Sequence, residues 1–295
     1  MLETAWNDYR GWARRARQLQ ADHRKWSRMA AGSAALAAVF GAAAGSAGSN
    51  TGGRVLAFLA AACAAITPVL GQDMLSVGRE AGWLRARAAA EAIKSECMRF
   101  SAHVGDYAGT ERKALFRRRC EEASDAVAKT GLTPLADPVK DDSRRPGDDM
   151  TLDWYLSHRI EEQRDYYAIV QANSERDAGR RQAAALALSV LSAVLGAASA
   201  TFNVAGLAPW IAVAGTLGGV LLTRSAGERS QFLAANAAAM VSALERMKEA
   251  ASEDGATLAA LVDATETLLD GEHAAWSDRM HRLATQADKP APAAG

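Results

Sequence analysis

Histidine and cysteine, two residue types that often carry out chemistry, are few in this 295-residue sequence and are scattered along it. The five histidines are His23, His103, His158, His273 and His281. The three cysteines, Cys63, Cys97 and Cys120, fit neither a disulfide framework nor a CxxC metal motif. The sequence contains no HExxH zinc motif, no GxSxG nucleophile turn and no P-loop. We therefore predict that the protein is not an enzyme and binds no cofactor or metal.

The charged residues are balanced in number but unevenly distributed. The sequence has 34 Lys and Arg, 34 Asp and Glu, and a pI near 7.0, which argues against a nucleic-acid binder because such domains carry a basic excess. Residues 29–53, 55–72 and 182–223 nevertheless contain no charged side chain. A helix that crosses a bilayer needs about 20 largely apolar residues. We predict four spans, at about residues 29–47, 55–71, 183–202 and 207–223.

The alternative is a soluble protein with buried, alanine-rich helices. A helix on the surface of a soluble protein normally carries a polar stripe, and the uncharged stretch 182–223 leaves no room for one. A cleaved signal peptide also fits poorly, because 28 residues precede the first apolar run. The membrane interpretation is therefore favoured.

Arginine and lysine residues flank the predicted spans mainly on one side. They precede the first span (Arg14, Arg15, Arg17, Arg24, Lys25, Arg28) and the third (Arg176, Arg180, Arg181), and they follow the second (Arg79, Arg85, Arg87) and the fourth (Arg224, Arg229). The two short turns together hold only Arg54. Because basic residues concentrate on the cytoplasmic side of a membrane, we predict a multi-pass protein of the bacterial inner membrane with both termini in the cytoplasm.

The two halves of the sequence resemble each other. VFGAAAG at 39–45 aligns with VLGAASA at 194–200, and the same frame aligns Lys25 with Arg180. Each half reads as a helix, a span, a tight turn, a span and a helix. We predict two domains, at residues 1–130 and 151–287, with a linker at 131–150 and a disordered tail at 288–295.

The segments that flank the spans carry apolar residues at alternating intervals of three and four. The pattern occurs in residues 2–26, 86–104 and 233–251. Such seams pack against helical partners. We therefore predict that the spans continue into a cytoplasmic helical bundle, that one helix runs from Leu2 to Ala47, and that the protein is a homo-oligomer with coiled-coil contacts.

Small residues recur inside the spans. Gly41 and Gly45 form one GxxxG pair and Gly215 and Gly219 form another, a spacing that lets helices pack closely in lipid. On one face of the third span lie Ser189, Ser192, Gly196 and Ser199. These four residues are candidates for lining a narrow water path. The alternative is a helix contact in which each hydroxyl bonds a carbonyl of its own preceding turn.

A family resemblance is carried by the segment after the second predicted span, GWLRARAAAEAIKSECMRF. Its marked positions are Trp83, Arg87, Glu91, Lys94, Arg99 and Phe100. Together with YRGWARRARQLQADHRKWSRM before the first span, this segment resembles the SLATT superfamily of bacterial two-transmembrane domains. The second half, which includes YYAIVQANSERDAGRRQ, resembles a second, divergent unit that lacks the W…AE…IKS run.

The resemblance implies a membrane effector of bacterial conflict systems that forms pores when a partner senses a nucleotide signal. We therefore predict an all-α membrane protein of two tandem two-span hairpins that acts as an oligomeric ion channel or pore, gated from the cytoplasmic side. The alternative is a membrane-anchored helical scaffold that recruits partners and conducts no ions. The expected partners are the lipid bilayer, further copies of the chain, permeant ions and a separate nucleotide-sensing protein, but no nucleic acid.

Overall fold

Helices make up nearly all of the described chain. The computed structural model describes residues 1–74, 77–136, 144–148, 150–202, 204–221, 224–253 and 257–287. The α-helices are α1 (Leu2–Ala47), α2 (Thr51–Met74), α3 (Val77–Ser101), α4 (Arg112–Ala128), α5 (Leu152–Tyr155), α6 (Glu162–Phe202), α7 (Ala208–Leu221), α8 (Arg224–Ala250) and α9 (Leu258–Ala287). Short 3₁₀ turns occupy Gly105–Ala108 and Ala205–Leu207, and a π-helical turn occupies Leu156–Glu161. These described residues contain no β-strand, so the all-α prediction is confirmed.

The predicted spans lie within long helices. Helix α1 has the predicted bounds and 46 residues, which gives it a length of about 69 Å. By length and apolar composition, three helical stretches can cross a membrane: Leu2–Ala47, Thr51–Leu70 and Leu152–Phe202. They contain the first and third predicted spans and all of the second except residue 71, and the protein is an all-α membrane protein.

The fourth predicted span, 207–223, is only partly covered by a helix among the described residues. Helix α7 has 14 residues, or about 21 Å, which is less than the roughly 30 Å of a bilayer's hydrocarbon core. The 3₁₀ turn Ala205–Leu207 takes up the beginning of the segment, and residues 222 and 223 lie outside the described residues. The fourth span therefore stays a prediction.

The turn between α1 and α2 explains why its residues are small and polar. Gly48 has a φ of +70°, the left-handed conformation that ends many helices, and its N–H donates to the Ala44 carbonyl. The Asn50 side chain caps α2 by accepting a hydrogen bond of 2.7 Å from the Gly53 N–H. A Cβ atom on Gly53 would lie 2.0 Å from the Gly48 carbonyl oxygen. Only glycine therefore fits at position 53 without moving the backbone.

The helices group into two compact units, and each unit combines segments from both halves of the sequence. The span unit consists of His23–Ser76 and Ala168–Ala238. The helical bundle consists of Met1–Asp22, Val77–Tyr167 and Ala239–Gly295. Because the predicted domains 1–130 and 151–287 each contribute to both units, their boundaries stay a prediction. The tail 288–295 and linker residues 137–143 and 149 lie outside the described residues.

The core of the helical bundle is built from the predicted seams. Seam residues that are buried within the single chain are Ala5, Trp12, Ala16, Ala86, Ala90, Ile93, Cys97, Phe100, Val104, Met240, Leu244 and Ala251. The Trp12 indole also donates a hydrogen bond of 2.9 Å to the Ser124 hydroxyl. The seams thus pack the helices of one chain, which is the bundle that their spacing predicts.

The most deeply buried seam residue of α8 gives a test of this packing. Leu244 is fully buried, and removing a buried leucine side chain typically costs about 2–5 kcal/mol. We expect Leu244→Ala to lower the thermal unfolding temperature of the detergent-solubilised protein, and Leu244→Asp to lower it further. Glu245→Ala, at the exposed neighbouring position, serves as the control and should change it little. An unchanged melting temperature for Leu244→Asp would contradict the packing.

Candidate functional site

The serine face of α6 contacts α7 within the span unit. The Ser189 hydroxyl donates to the Ala185 carbonyl of its own helix at 2.9 Å, while Ser192 donates across to the Ile211 carbonyl at 3.1 Å. A Cβ atom on Gly215 would lie 3.6 Å from the Ser192 hydroxyl oxygen. Two of the four predicted pore-lining residues therefore lie at an interface between helices of the same chain.

The other two predicted pore-lining residues have different surroundings. The Ser199 hydroxyl donates to the Val204 carbonyl at 3.1 Å, next to the turn that follows α6. Gly196 has no atom within 4 Å of its Cβ position among the described residues. Gly218 of α7, which the sequence analysis did not single out, lies closer to α6 than Gly215 does. A Cβ atom on Gly218 would lie 3.4 Å from the Leu188 Cβ atom.

In each of the two GxxxG pairs, one glycine lies at a helix contact and the other does not. A Cβ atom on Gly45 would lie 3.6 Å from Cγ of Pro209, and Gly215 faces α6. The Cβ positions of Gly41 and Gly219 have no described atom within 4 Å. One glycine of each pair thus lies at a helix contact within the chain, and the other lies in open space.

Hydroxyl groups also join the helices of the span unit, which the sequence analysis missed. The Ser46 hydroxyl lies 3.0 Å from the Ala42 carbonyl of its own helix and 3.2 Å from the Gly206 carbonyl, and these two acceptors share its one proton. It also accepts from the Trp210 indole at 3.1 Å. The hydroxyls of Ser33 and Thr67 share a hydrogen bond of 2.9 Å between α1 and α2. The sequence shows isolated hydroxyl residues on apolar helices, but it does not show their hydrogen-bond partners, because these depend on tertiary packing.

In the helical bundle, the family-motif residues of α3 contact segments from the second half of the chain. The Arg87 guanidinium donates to the Tyr166 hydroxyl at 3.2 Å. Arg99 forms a 2.8 Å ion pair with Asp270 of α9, which also accepts a hydrogen bond of 3.3 Å from Ser95. These positions therefore join the two halves.

The aromatic residues of the motif lie in the core. Trp83 and Phe100 are both buried. The Phe100 ring lies 4.5 Å from the Phe116 ring and 5.7 Å from the Tyr107 ring, measured between centroids. The motif thus combines a polar face toward the second half with an aromatic contact to α4 and its preceding turn.

A fully buried ion pair joins Arg159 to Glu266, and the sequence analysis did not find it. Arg159 donates two hydrogen bonds to Glu266, of 2.8 and 2.7 Å, and both side chains are at most 1% exposed. The Tyr155 hydroxyl donates to the same carboxylate at 2.9 Å. Burial raises the pKa of the Glu266 carboxyl, but the Arg159 guanidinium, the Tyr155 hydrogen bond and the Lys94 charge together outweigh burial, so the pKa lies below its ordinary value. Glu266 is therefore ionised at neutral pH.

A π-helical turn places the arginine of this pair. The turn Leu156–Glu161 holds two successive buried residues, Arg159 and Ile160. Such turns are rare and occur mostly as single turns inside α-helices, often at functional sites. No periodicity in the sequence marks this turn.

Two motif residues of α3 complete the buried charge cluster, which we define as Glu91, Lys94, Arg159 and Glu266. Lys94 is 8% exposed, and burial together with the Arg159 charge lowers its pKa to about 8. The pKa of Glu91 is lowered because Lys94 and other nearby cations outweigh the effect of burial. The cluster places two cations against two carboxylates inside the bundle. No group of three or more metal-ligating side chains occurs in the part of the chain that the structure describes.

Two segments of the chain match known protein families. Residues 155–276 match the family described as "SMODS and SLOG-associating 2TM effector domain 1", abbreviated SLATT. The chain therefore carries a SLATT domain. Residues 8–114 match a related domain described as a protein of unknown function, DUF4231. No curated protein and no solved structure matches the chain.

The SLATT match falls on the half that lacks the quoted motif. The motif on α3 lies within the DUF4231 match, whereas the SLATT domain contains Arg159 and Glu266. The buried charge cluster thus joins the related domain to the SLATT domain. That both halves are SLATT units in tandem stays a prediction.

Removing one partner of the buried ion pair tests its contribution. Loss of one partner of a buried pair typically costs about 3–5 kcal/mol, because the other charge remains buried without compensation. We expect Arg159→Met to lower the melting temperature strongly, and the double variant Arg159→Met/Glu266→Met to recover part of the loss. Arg118→Met, in an exposed pair with Glu122, should change it little. Equal losses in the single and double variants would count against the coupling.

The lowered pKa of Lys94 predicts a dependence of stability on pH. Between pH 8 and 10.5, the unfolded lysine binds a proton that the folded one has released, so the contribution of Lys94 to the free energy of unfolding rises with pH. The charged groups that act on it are Arg159, Glu91, Glu266 and Glu162. We expect the stability of the wild-type protein relative to Lys94→Met to increase from pH 7.5 to 9.5 in thermal unfolding. A difference that is constant with pH would refute this effect.

Proposed function

We propose that this membrane effector is an oligomeric ion channel or pore in the bacterial inner membrane, gated from the cytoplasmic side. The main support is the extent of uncovered apolar surface. In the most apolar windows of α1, α2 and α6, only 6, 11 and 6% of the residues are buried within the chain. Lipid and further copies of the chain are the partners that could cover this surface.

A single chain offers little room for a water path between its helices. Cβ atoms added to Gly215 and Gly218 of α7 would lie 3.4–3.6 Å from side-chain atoms of α6, and hydrogen bonds join α1 to α2 and to α7. A conducting path would therefore form between copies of the chain. The glycines with open Cβ positions, Gly41, Gly196 and Gly219, are the places where another helix could approach closely. We propose homo-oligomerisation through these positions.

The proposal includes no catalytic step, cofactor or nucleic acid. The permeant species are small ions, and a separate nucleotide-sensing protein supplies the trigger. The match to a two-transmembrane effector domain supports action on the membrane. The position of the basic residues around the spans supports a multi-pass topology with both termini in the cytoplasm.

A non-conducting scaffold is the second candidate, and one observation favours it. Ser189 and Ser192 contact helices of their own chain, so their hydroxyls are already engaged. A face used in this way need not border water. In the scaffold, the membrane helices anchor the helical bundle, which then recruits partners.

Topology is tested by cysteine labelling in intact cells. In a chain with Cys63, Cys97 and Cys120 replaced by alanine, we expect a membrane-impermeant thiol reagent to label Ser49→Cys in the first turn but not Lys113→Cys on α4. Ser49 lies beside Asn50 without capping α2, and both chosen positions are exposed. Permeabilised cells, in which both should react, provide the control. Labelling of Lys113→Cys in intact cells would overturn the orientation.

The sequence positions Asn203 and Lys140, in the second turn and the linker, lie outside the described residues. The same labelling test applies to them. The predicted orientation, with both termini in the cytoplasm, requires that Asn203→Cys is labelled in intact cells and that Lys140→Cys is protected.

Conduction is tested by ion flux through the purified protein in liposomes. We expect wild-type flux under a suitable voltage or trigger, and a sharp decrease for Gly196→Leu, because this open position can accept a leucine within one chain. Ala197→Leu is the control of equal size, on the exposed side of α6 with Val190 and Val194. Ser192→Leu should instead separate α6 from α7 and lower the melting temperature. Absence of wild-type flux under every voltage, calcium and nucleotide condition would favour the scaffold.

A further inference from the structure

Cations precede the apolar part of two helices in the span unit. The basic collar is defined as Arg24, Lys25 and Arg28 of α1 together with Arg176, Arg180 and Arg181 of α6. All except Arg181 are exposed, and Arg181 donates a hydrogen bond of 3.1 Å to Ser230. The collar therefore presents several cations to solvent immediately before the apolar part of each helix.

The collar lies one membrane thickness from the turns. Ser46, which bonds to the Gly206 carbonyl, marks the turn end of α1, and Arg28 precedes it by 18 residues, or about 27 Å of helix. On α6, Arg181 precedes the terminal Phe202 by 21 residues, or about 32 Å. The hydrocarbon core of a bilayer is about 30 Å thick. Both sets of cations therefore fall at headgroup depth when the turns lie at the opposite surface.

The α1 part of the collar carries more net positive charge than the α6 part. Residues 22–28 read DHRKWSR, with three cations and one carboxylate, whereas residues 175–181 hold three cations and two carboxylates, Glu175 and Asp177. The Lys25 ammonium lies 5.4 Å from the centroid of the Trp26 ring, and tryptophan is enriched at the membrane interface. Met29, the next residue after Arg28, is 45% exposed. Positive charge, an indole and an apolar side chain thus follow each other along the helix.

We propose that the basic collar binds the headgroups of anionic phospholipids, with Arg24, Lys25 and Arg28 supplying most of the attraction. The phosphate meets the cations, and the acyl chains lie along the adjacent apolar surface at Met29 and Leu36. A basic cluster next to a span gains about fivefold in affinity for an anionic membrane surface per cation. This inference depends on membrane insertion and is independent of whether the protein conducts ions.

The experiment measures the thermal unfolding of the full-length protein in a non-ionic detergent as lipid is added. We expect phosphatidylglycerol to raise the melting temperature and phosphatidylcholine to have little effect. In the variant Arg24→Gln/Lys25→Gln/Arg28→Gln, the phosphatidylglycerol concentration needed for half the effect should rise about 100-fold, as expected for three cations. The charge-conserving variant Arg24→Lys/Arg28→Lys should respond like the wild type.

The matched control removes three cations from the helical bundle instead. Lys113, Arg117 and Arg118 are exposed on α4, outside the predicted spans, and their replacement by glutamine changes the net charge by the same amount. We expect the control to respond to phosphatidylglycerol like the wild type. An equal loss in the control would mean a general charge effect and would overturn the site.

Further measurements distinguish lipid phosphate from free phosphate, and they keep the test informative if the triple variant misfolds. If inorganic phosphate stabilises the protein as much as phosphatidylglycerol does, the collar is a site for soluble anions and the lipid proposal is wrong. Equal stabilisation by phosphatidylcholine would also overturn it. If the triple glutamine variant does not fold, the response of the wild type is compared at 50 and 500 mM NaCl. A lipid response that is unchanged by salt would contradict an electrostatic site.

Discussion

The structure depends first on one constraint: a backbone inside hydrocarbon must satisfy its own hydrogen bonds, because no water is available there. Long uncharged segments therefore form helices, and each reversal of direction must occur within a few residues. Gly48 and Gly53 make the first reversal possible by a left-handed φ and by the absence of a side chain, respectively. Close contacts between the helices follow from the same constraint, since small residues allow hydroxyls such as Ser192 to reach a carbonyl on the next helix.

The helical bundle, in contrast, contains charged side chains that are buried away from water. Taking ions out of water is costly, and the cost is offset only by good geometry and further hydrogen bonds. Glu266 has both, since it accepts bonds from Arg159 and from Tyr155. Because Lys94 and Glu91 belong to α3 and the ion pair belongs to the SLATT domain, the cluster joins the two halves of the chain within the bundle.

Local pattern was sufficient to predict the helices and their core. The bounds of α1 and the burial of Trp12, Ile93 and Leu244 follow from spacing alone. The bonding partners did not follow, because a motif residue such as Arg99 meets Asp270 only after the chain has folded back over 171 residues. The π-helical turn leaves no signature in the hydrophobic period. Helix α7 covers most of the fourth predicted span, which stays a prediction because residues 222 and 223 lie outside the described residues.

The π-helical turn Leu156–Glu161 has a consequence for comparing the two halves of the chain. A turn of this kind accommodates one residue more than an α-helix of the same rise, and each residue of an α-helix corresponds to a rotation of 100° about its axis. A gap-free alignment of this region with an uninterrupted helix therefore places the residues on one side of the turn out of phase with those on the other. In the frame that aligns Lys25 with Arg180, this turn corresponds to residues 1–6. The phase shift therefore falls at the start of the matched region, and a gap-free alignment of α1 with α6 keeps their helical faces in register.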